Sequence, residues 1–495
     1  MKHPLLSTSL LIVGLAAATA APNDFAEGKG PGNEGATKHY YNAAAYLEWK
    51  HDMGDWHDAR NQAQGDAPYA VAASAKEKFA EWDVTALVKE WEASTHQNLG
   101  FFLKMADGKG SFDFSSCESA DAEQHPQLVL TGDKGNVTLT CAADTYLEGS
   151  TVRSMGHLDH FKVSAKPNHG LVRFDLSKAK EAGKVARAVL RLYNTKQTSG
   201  SSGNIGVFRC SQNHEVPDNE VIFGLAAKYP NDKGIAKDPD VYFFTDFEAD
   251  EWQKAWSGMG PNIAPVTLAE DPELKFESFQ GKALRAHLGV GKLTALDLRY
   301  DFKDKNGAEP EEAYFRYYIR LGESWVPTIQ GGKLPGFSGT YNKAGWGGRK
   351  VHGDDGWSAR GHYKTTVPEG NPLAGTTPIG NYVYHTDMPG NYGDVWMWNR
   401  GYRGFLGRNK WYCIEQHVKL NAPGKKDGVL EAWVDGKLAH HREGMNFRTG
   451  DKLKIERMWF NIYHGGTAPS QTDQHIFIDN VVTAKKYIGP MKAEK

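Results

Sequence analysis

The chain has 495 residues, a formal charge of −2 at neutral pH and a 24% share of charged residues. A near-neutral balance with no broad basic surface excludes nucleic acid as a partner. The length suggests roughly two to four domains, and 54 glycines with 12% aromatic residues and few long helical patterns point to an all-β protein.

The first residues, MKHPLLSTSLLIVGLAAATAAP, combine a basic start, a short apolar core and an Ala-x-Ala pattern that ends at Ala20. This pattern predicts a secretory signal over residues 1–20 and a secreted, extracellular or periplasmic protein. No later stretch approaches the length of a membrane-spanning helix. Removal of the signal would leave Ala21 or Pro22 first, which excludes a copper site built on an N-terminal histidine. The cysteines are Cys117, Cys141, Cys210 and Cys413. An exported chain permits disulfides among them in any of about three pairings, and their spacing matches no zinc signature.

Residues 21–39 are rich in Gly, Asn and Ala and read as a leader. A first module opens near Tyr40. In it Asp83 is placed to cap a helix whose Val84, Leu87, Val88 and Trp91 follow the i, i+3, i+4, i+7 spacing. Strand-like runs NLGFFLKM and QLVLTG follow, and a second set begins near Val137 with VTLTCAADTYL, HGLVRFDLS, ARAVLRLYN and IGVFRC. Residues 213–239 are rich in Asn, Asp, Pro and Lys and read as a linker. A second domain is expected over residues 240–490. In AYFRYYIRL, alternation puts Tyr314, Arg316, Tyr318 and Arg320 on one face and Phe315, Tyr317, Ile319 and Leu321 on the other. Asp435-Gly436 between two strand-like runs predicts a hairpin.

The segment from Gly331 to His385 carries the chemistry. Between Gly331 and Lys364 stand Lys333, Lys343, Arg349, Lys350, Arg360 and Lys364, against Asp354 and Asp355. In WSARGHYK, Trp357, Ala359 and Tyr363 fall on one side, and Ser358, Arg360, His362 and Lys364 on the other. Tyr382 and Tyr384 share a face. Arg forks onto carboxylates, Tyr offers a stacking face and a titratable hydroxyl, and Lys is a movable charge. Such a set suits an anionic, hydroxyl-rich ligand. No G-x-S-x-G elbow, H-E-x-x-H or phosphate loop appears, and no strand pairs two carboxylates as a glycosidase requires.

GGKLPG, DGWSARG, YVYH, KWYCIEQHVKLNAPGKKDGVLEAWVDGK and FNIYHGG, in this order, resemble polysaccharide lyase family 14 over roughly residues 240–490. The resemblance implies a jelly roll that cleaves polyuronates such as alginate or glucuronan by β-elimination. It places Lys333, Ser358, Arg360, Tyr382 and Tyr384 on the family's catalytic or substrate-binding positions. WDVTALVKEW, NLGFFLK, FSSCES and PQLVLT resemble the later half of DNRLRE-type (disaggregatase-related) carbohydrate-associated modules, and ADTYL, LVRFDLS, AVLRLYN and IGVFR the earlier half. The reversed order suggests one permuted sandwich over residues 40–212, because half a sandwich would leave its inner face unburied.

The expectation is therefore an all-β protein of two jelly-roll or β-sandwich domains joined by a linker. Lys333, Arg360, Tyr382 and Tyr384 are the catalytic candidates. Ser358, Arg316, Tyr318, Arg349, His362 and His385 are the substrate-binding ones. No catalytic metal or cofactor is called for, with room left for a structural calcium. An anionic polysaccharide is the expected partner of a monomer with no membrane span. The alternatives are a non-catalytic carbohydrate-binding or adhesion protein and a glycoside hydrolase.

Overall fold

The computed structural model describes residues 25–30, 34–44, 46–151, 153–211, 220–261, 263, 265–328, 330–369 and 373–492. The signal expected at residues 1–20 lies outside them. Among the described residues no helix is long and apolar enough to cross a membrane.

The protein is built of two β-sandwiches. In the first, strands from before and after Val137 interleave. Phe101–Met105 pairs with both Asn168–Phe174 and Asn204–Ser211, and Val185–Gln197 pairs with Lys78–Asp83, Ser111–Ser115 and Gln127–Gly132. Neither half could bury its own inner face, so the two close one core around Trp82, Phe114, Leu128 and Leu190. Alternation drives this: in Gln127–Gly132, Leu128 and Leu130 turn inward while Thr131 stays exposed. The predicted helix forms over Thr85–Glu92 and buries Leu87, Val88 and Trp91. Asp83 lies one residue before the cap position, and its carboxylate accepts from the Thr85 amide at 3.1 Å. Cys117 and Cys141 are joined in a disulfide, whereas Cys413 is a buried thiol.

The second sandwich packs two antiparallel eight-stranded sheets face to face. One contains Ala283–Leu288, Gln474–Ala484, Glu312–Leu321, Trp411–Lys419, Gly428–Val434 and Lys437–Met445. The other contains Thr294–Asp301, Arg457–His464, Gly332–Gly339, Trp357–Tyr363, Thr377–Tyr384 and Asp394–Met397. Phe315, Tyr317, Phe337 and Phe460 interlock between them, each burial being worth roughly 1.5–3 kcal/mol. The Asp435-Gly436 turn has φ of 51° and 75° and joins Val434 to Lys437 in register, the left-handed pair that a two-residue hairpin requires.

The expected linker needs correction. Residues 212–219 lie outside the described residues, but those from 220 onward are packed on the second sandwich. Leu225, Ala226 and Ile235 are buried with Val482, Ala484 and Ile488. Asp232, fully enclosed, pairs with the equally enclosed Arg316. A buried guanidinium demands such a counter-charge, and this segment supplies it, so its Asn/Asp/Pro-rich composition marks tight turns rather than a free tether.

A lysine-centred face on the second sandwich

Strand pairing assembles the site. Lys333 stands opposite His362 on one side and Tyr463 on the other, Arg360 opposite Tyr382, and Ser358 opposite Tyr384. All lie on the sheet face turned away from the core, because their neighbours Leu334, Phe337, Ala359 and Val383 take the inner face. The register slips between Leu334 and Gly336, where Pro335 can donate no ladder bond. Such a bulge re-aims the side chains beside it. The freed Pro335 carbonyl is captured from within the core by Gln416 Nε2 at 2.9 Å. Gln416 Oε1 accepts from Asn381 Nδ2 at 3.0 Å, and Asn381 Oδ1 accepts from Trp398 Nε1 at 2.6 Å. This buried chain pins the strand that carries Lys333.

The Lys333 ammonium lies 3.7 Å from the centre of the Tyr382 ring and 3.4 Å from His362 Nδ1. Burial, followed by the fields of Arg360 and Lys364, lowers its pKa from 10.5 to about 7. Arg360 is 6% exposed, and its guanidinium sits 4.5 Å over Trp459. Burial brings it down to about 10, so it remains a cation at neutral pH. His362 is held neutral by burial and by the adjoining cations, Lys333 first. The Tyr382 phenol is pushed well above its usual range by burial and by its hydrogen bond with Tyr384. Lys364, which follows the strand, is also lowered by burial. Among the described residues, none of Lys333, Arg360 and Lys364 has a carboxylate within the 4.0 Å of an ion pair. Uncompensated buried cations are costly, and this face is left in want of an anion.

The glycine-rich loop acts as a brace. Gly345 has φ of 89°, and a Cβ there would meet the Trp357 backbone at 2.8 Å, so only glycine lets the loop lie so close. Ser358 is fully enclosed and its hydroxyl donates to the Gly345 carbonyl at 2.7 Å. It therefore fastens the loop instead of meeting a carboxylate as expected. Gly348 N donates to the Tyr384 hydroxyl at 3.0 Å and Gly393 N to that of Tyr382 at 3.2 Å. Each phenolic oxygen accepts from a backbone amide, which leaves its own proton to be given elsewhere.

Lys333, Arg360, His362, Tyr382 and Tyr384 are thus brought together, and four other candidates are held by partners of their own. Arg316 and Tyr318 belong to the opposite sheet, on its outer face. There Arg316 is consumed by Asp232, and the Tyr318 hydroxyl accepts from Met491 N at 2.8 Å, so neither lines this face. Arg349 is exposed and stacked 3.6 Å over Trp346. His385 is buried, its Nε2 2.8 Å from Asp394 and its ring 5.3 Å from Trp396. Lys364 is where alternation in WSARGHYK places it, on the face of Arg360 and His362, whereas Trp459 and Tyr463 are not among the sequence candidates. The last two alternate in FNIYHGG and its preceding residue as the Lys333 strand's neighbours do, which was the available signal. Elsewhere, Glu27, Glu118 and Asp144 bring carboxylate oxygens within 4.8 Å of one another beside the disulfide, the donor type that calcium takes.

Residues 295–481 match the family model for polysaccharide lyase 14. The second sandwich is polysaccharide-lyase-14-like. Residues 35–130 match the disaggregatase related repeat domain. Among solved structures, a doubly substituted alginate lyase Aly36B in complex with alginate tetrasaccharide is similar at 20% identity, covering 52% of this chain and 94% of that one, with a TM-score of 0.38. The marine alginate lyase of Aplysia kurodai is 16% identical over 51% of this chain and 98% of its own, with a TM-score of 0.36. An endo-beta-1,4-glucuronan lyase from the fungus Trichoderma reesei is 16% identical over 51% and 100%, with a TM-score of 0.35. No curated protein matches the chain.

Proposed function

We propose that the protein is a secreted polysaccharide lyase that cleaves a uronate-containing polymer of the alginate or glucuronan type by β-elimination. The first sandwich would serve it as a carbohydrate-associated module. The observation that carries the reading is the Lys333 amine, lowered to about 7 and set among cations that have no carboxylate in ion-pair contact.

The C5 proton of a uronate becomes acidic only when its carboxylate is neutralised. Arg360 supplies that charge. Lys333 takes the proton: an ordinary lysine is neutral in only about one molecule in several thousand at pH 7, whereas a pKa near 7 leaves about half as free base. As the C5–H bond breaks, C4=C5 forms and the C4–O4 bond breaks. Tyr382, kept protonated by its raised pKa, gives its proton to the departing O4. Lys333 ends as ammonium beside the Tyr382 phenolate, and returning the proton resets both. Three acids of these strands and loops are already engaged, Asp297 with Trp459, Asp394 with His385 and Asp355 with His352, and Glu48 stands beside the cations Arg442 and Lys364. That argues against a glycosidase, which needs two facing carboxyls at liberty. Incubation with alginate and glucuronan tests the reading. A lyase releases unsaturated, ultraviolet-absorbing ends; a hydrolase releases reducing ends without that absorbance, and a binding protein releases neither.

A further inference from the structure

The hairpin of Tyr40–Asn42 and Leu47–Glu48 belongs to the N-terminal half of the chain but not to its main sheet. It is a separate two-stranded pair with Tyr40 opposite Glu48, and it meets the second sandwich beside the lysine-centred face. The Tyr46 hydroxyl is 3.2 Å from Thr365 Oγ1, and the Lys364 ammonium lies 5.4 Å from the centre of the Tyr46 ring. Tyr41 donates to the Tyr402 hydroxyl at 3.0 Å. Leu47 and Trp49 are buried in one apolar cluster with Val367 and Phe405, so packing as well as charge fixes the hairpin here.

Lys364 links Lys333 to this hairpin, because its field reaches Lys333 and its ammonium faces the Tyr46 ring. Arg442 lies 4.0 Å from the centre of the Trp396 ring. Both cations act on Glu48. Burial pushes its carboxyl up to about 7 against the pull of Arg442 and then Lys364. Tyr46 is held at a φ of 55°, a left-handed conformation uncommon for a bulky residue and found at ligand clamps.

We infer that Tyr46 and Glu48 form one wall of the substrate cleft, supplied by the N-terminal module, and that this wall limits how far a polyuronate chain runs past Lys364. A sugar ring lying beside Lys364 meets the Tyr46 ring, the kind of face on which a pyranose stacks. The next uronate would need the cations that Glu48 already faces, and its carboxylate would meet the Glu48 carboxyl, whose ionised form repels it. The inference rests on the uronate reading given above.

Titration calorimetry with uronate disaccharide through hexasaccharide, in full-length Lys333→Ala protein with and without Glu48→Gln or Tyr46→Asn, tests the wall. The product sizes released by the Glu48→Gln and Tyr46→Asn proteins that retain Lys333 complete the comparison. Asparagine tolerates the left-handed backbone at position 46, and Glu48→Gln is isosteric, so it decides the matter if Tyr46→Asn unfolds. Glu48→Gln is expected to tighten binding of the longer oligomers about tenfold while leaving the disaccharide within about twofold, and to lengthen the products; Tyr46→Asn is expected to weaken binding about fivefold. Unchanged affinities and product sizes, with unsaturated ends still released, would overturn the wall alone. A parent protein that neither binds nor cleaves any oligouronate would overturn the lyase reading and the wall with it.

Discussion

Lys333 and Tyr382 divide the chemistry because the same burial drives their pKa values in opposite directions. Tyr382→Phe removes the acid and should lower kcat about 10²- to 10⁴-fold with KM little changed. Tyr384→Phe removes the hydroxyl that receives Gly348 N and should cost less, through a looser loop. Initial rates of unsaturated-end release compare the two. Lys333 also carries a stability cost. Its pKa is about 7 in the folded protein against 10.5 when free. The penalty is therefore full below pH 7 and fades as pH rises from 7 toward 10.5. Lys333→Met should raise the melting temperature at pH 6 while abolishing activity, and a calorimetric scan at pH 6 reads it directly.

At the scale of strands and loops, position depends on groups that never touch substrate. Gln416→Leu would leave the Pro335 carbonyl and an Asn381 amide proton unpaired inside the core, at a cost of about 2–4 kcal/mol, and would let the bulge beside Lys333 relax. Lower melting temperature together with lower kcat is the expected outcome; lost stability with unchanged kcat would make Gln416 a core residue only. Alternation in the sequence sufficed to set Arg360 on the face opposite Ala359, whereas Lys333 and Phe337 share parity and are parted only by the bulge between them. Alternation could not say which sheet each strand joins, so Arg316 and Tyr318 looked like cleft residues although they face the other way. Nor could local pattern reveal that Ser358 would spend its hydroxyl on Gly345, because that contact arises from a loop folding back on its strand. The Asp435-Gly436 hairpin was legible because its turn geometry is fixed by two adjacent residues.

Over the whole molecule, long-range pairing sets the boundaries that composition misplaced. Asp232 lies within the turn-rich stretch and yet holds Arg316 across 84 positions of sequence. Asp232→Ala would strand a buried guanidinium and should destabilise the second sandwich by about 3–5 kcal/mol, visible as a lowered urea midpoint. The Cys117–Cys141 bridge closes a loop of sequence separation 24 in the first sandwich. Its reduction should cost about 2–4 kcal/mol and lower the melting transition of that sandwich first. The hairpin carrying Tyr46 and Glu48 ties the two sandwiches at the edge of the site, so loosening the first should also change how long substrates are handled.

The decisive measurement is the pH dependence of kcat/KM for unsaturated-end release from a polyuronate, in the parent and in Lys333→Ala. A base that must be neutral gives a rate that climbs tenfold per pH unit on the acid side and levels off above about pH 7, and Lys333→Ala should lose the activity by at least about 10²-fold. A parent rate indifferent to pH through neutrality, or a Lys333→Ala protein as fast as its parent, would contradict the assignment of Lys333 as the base.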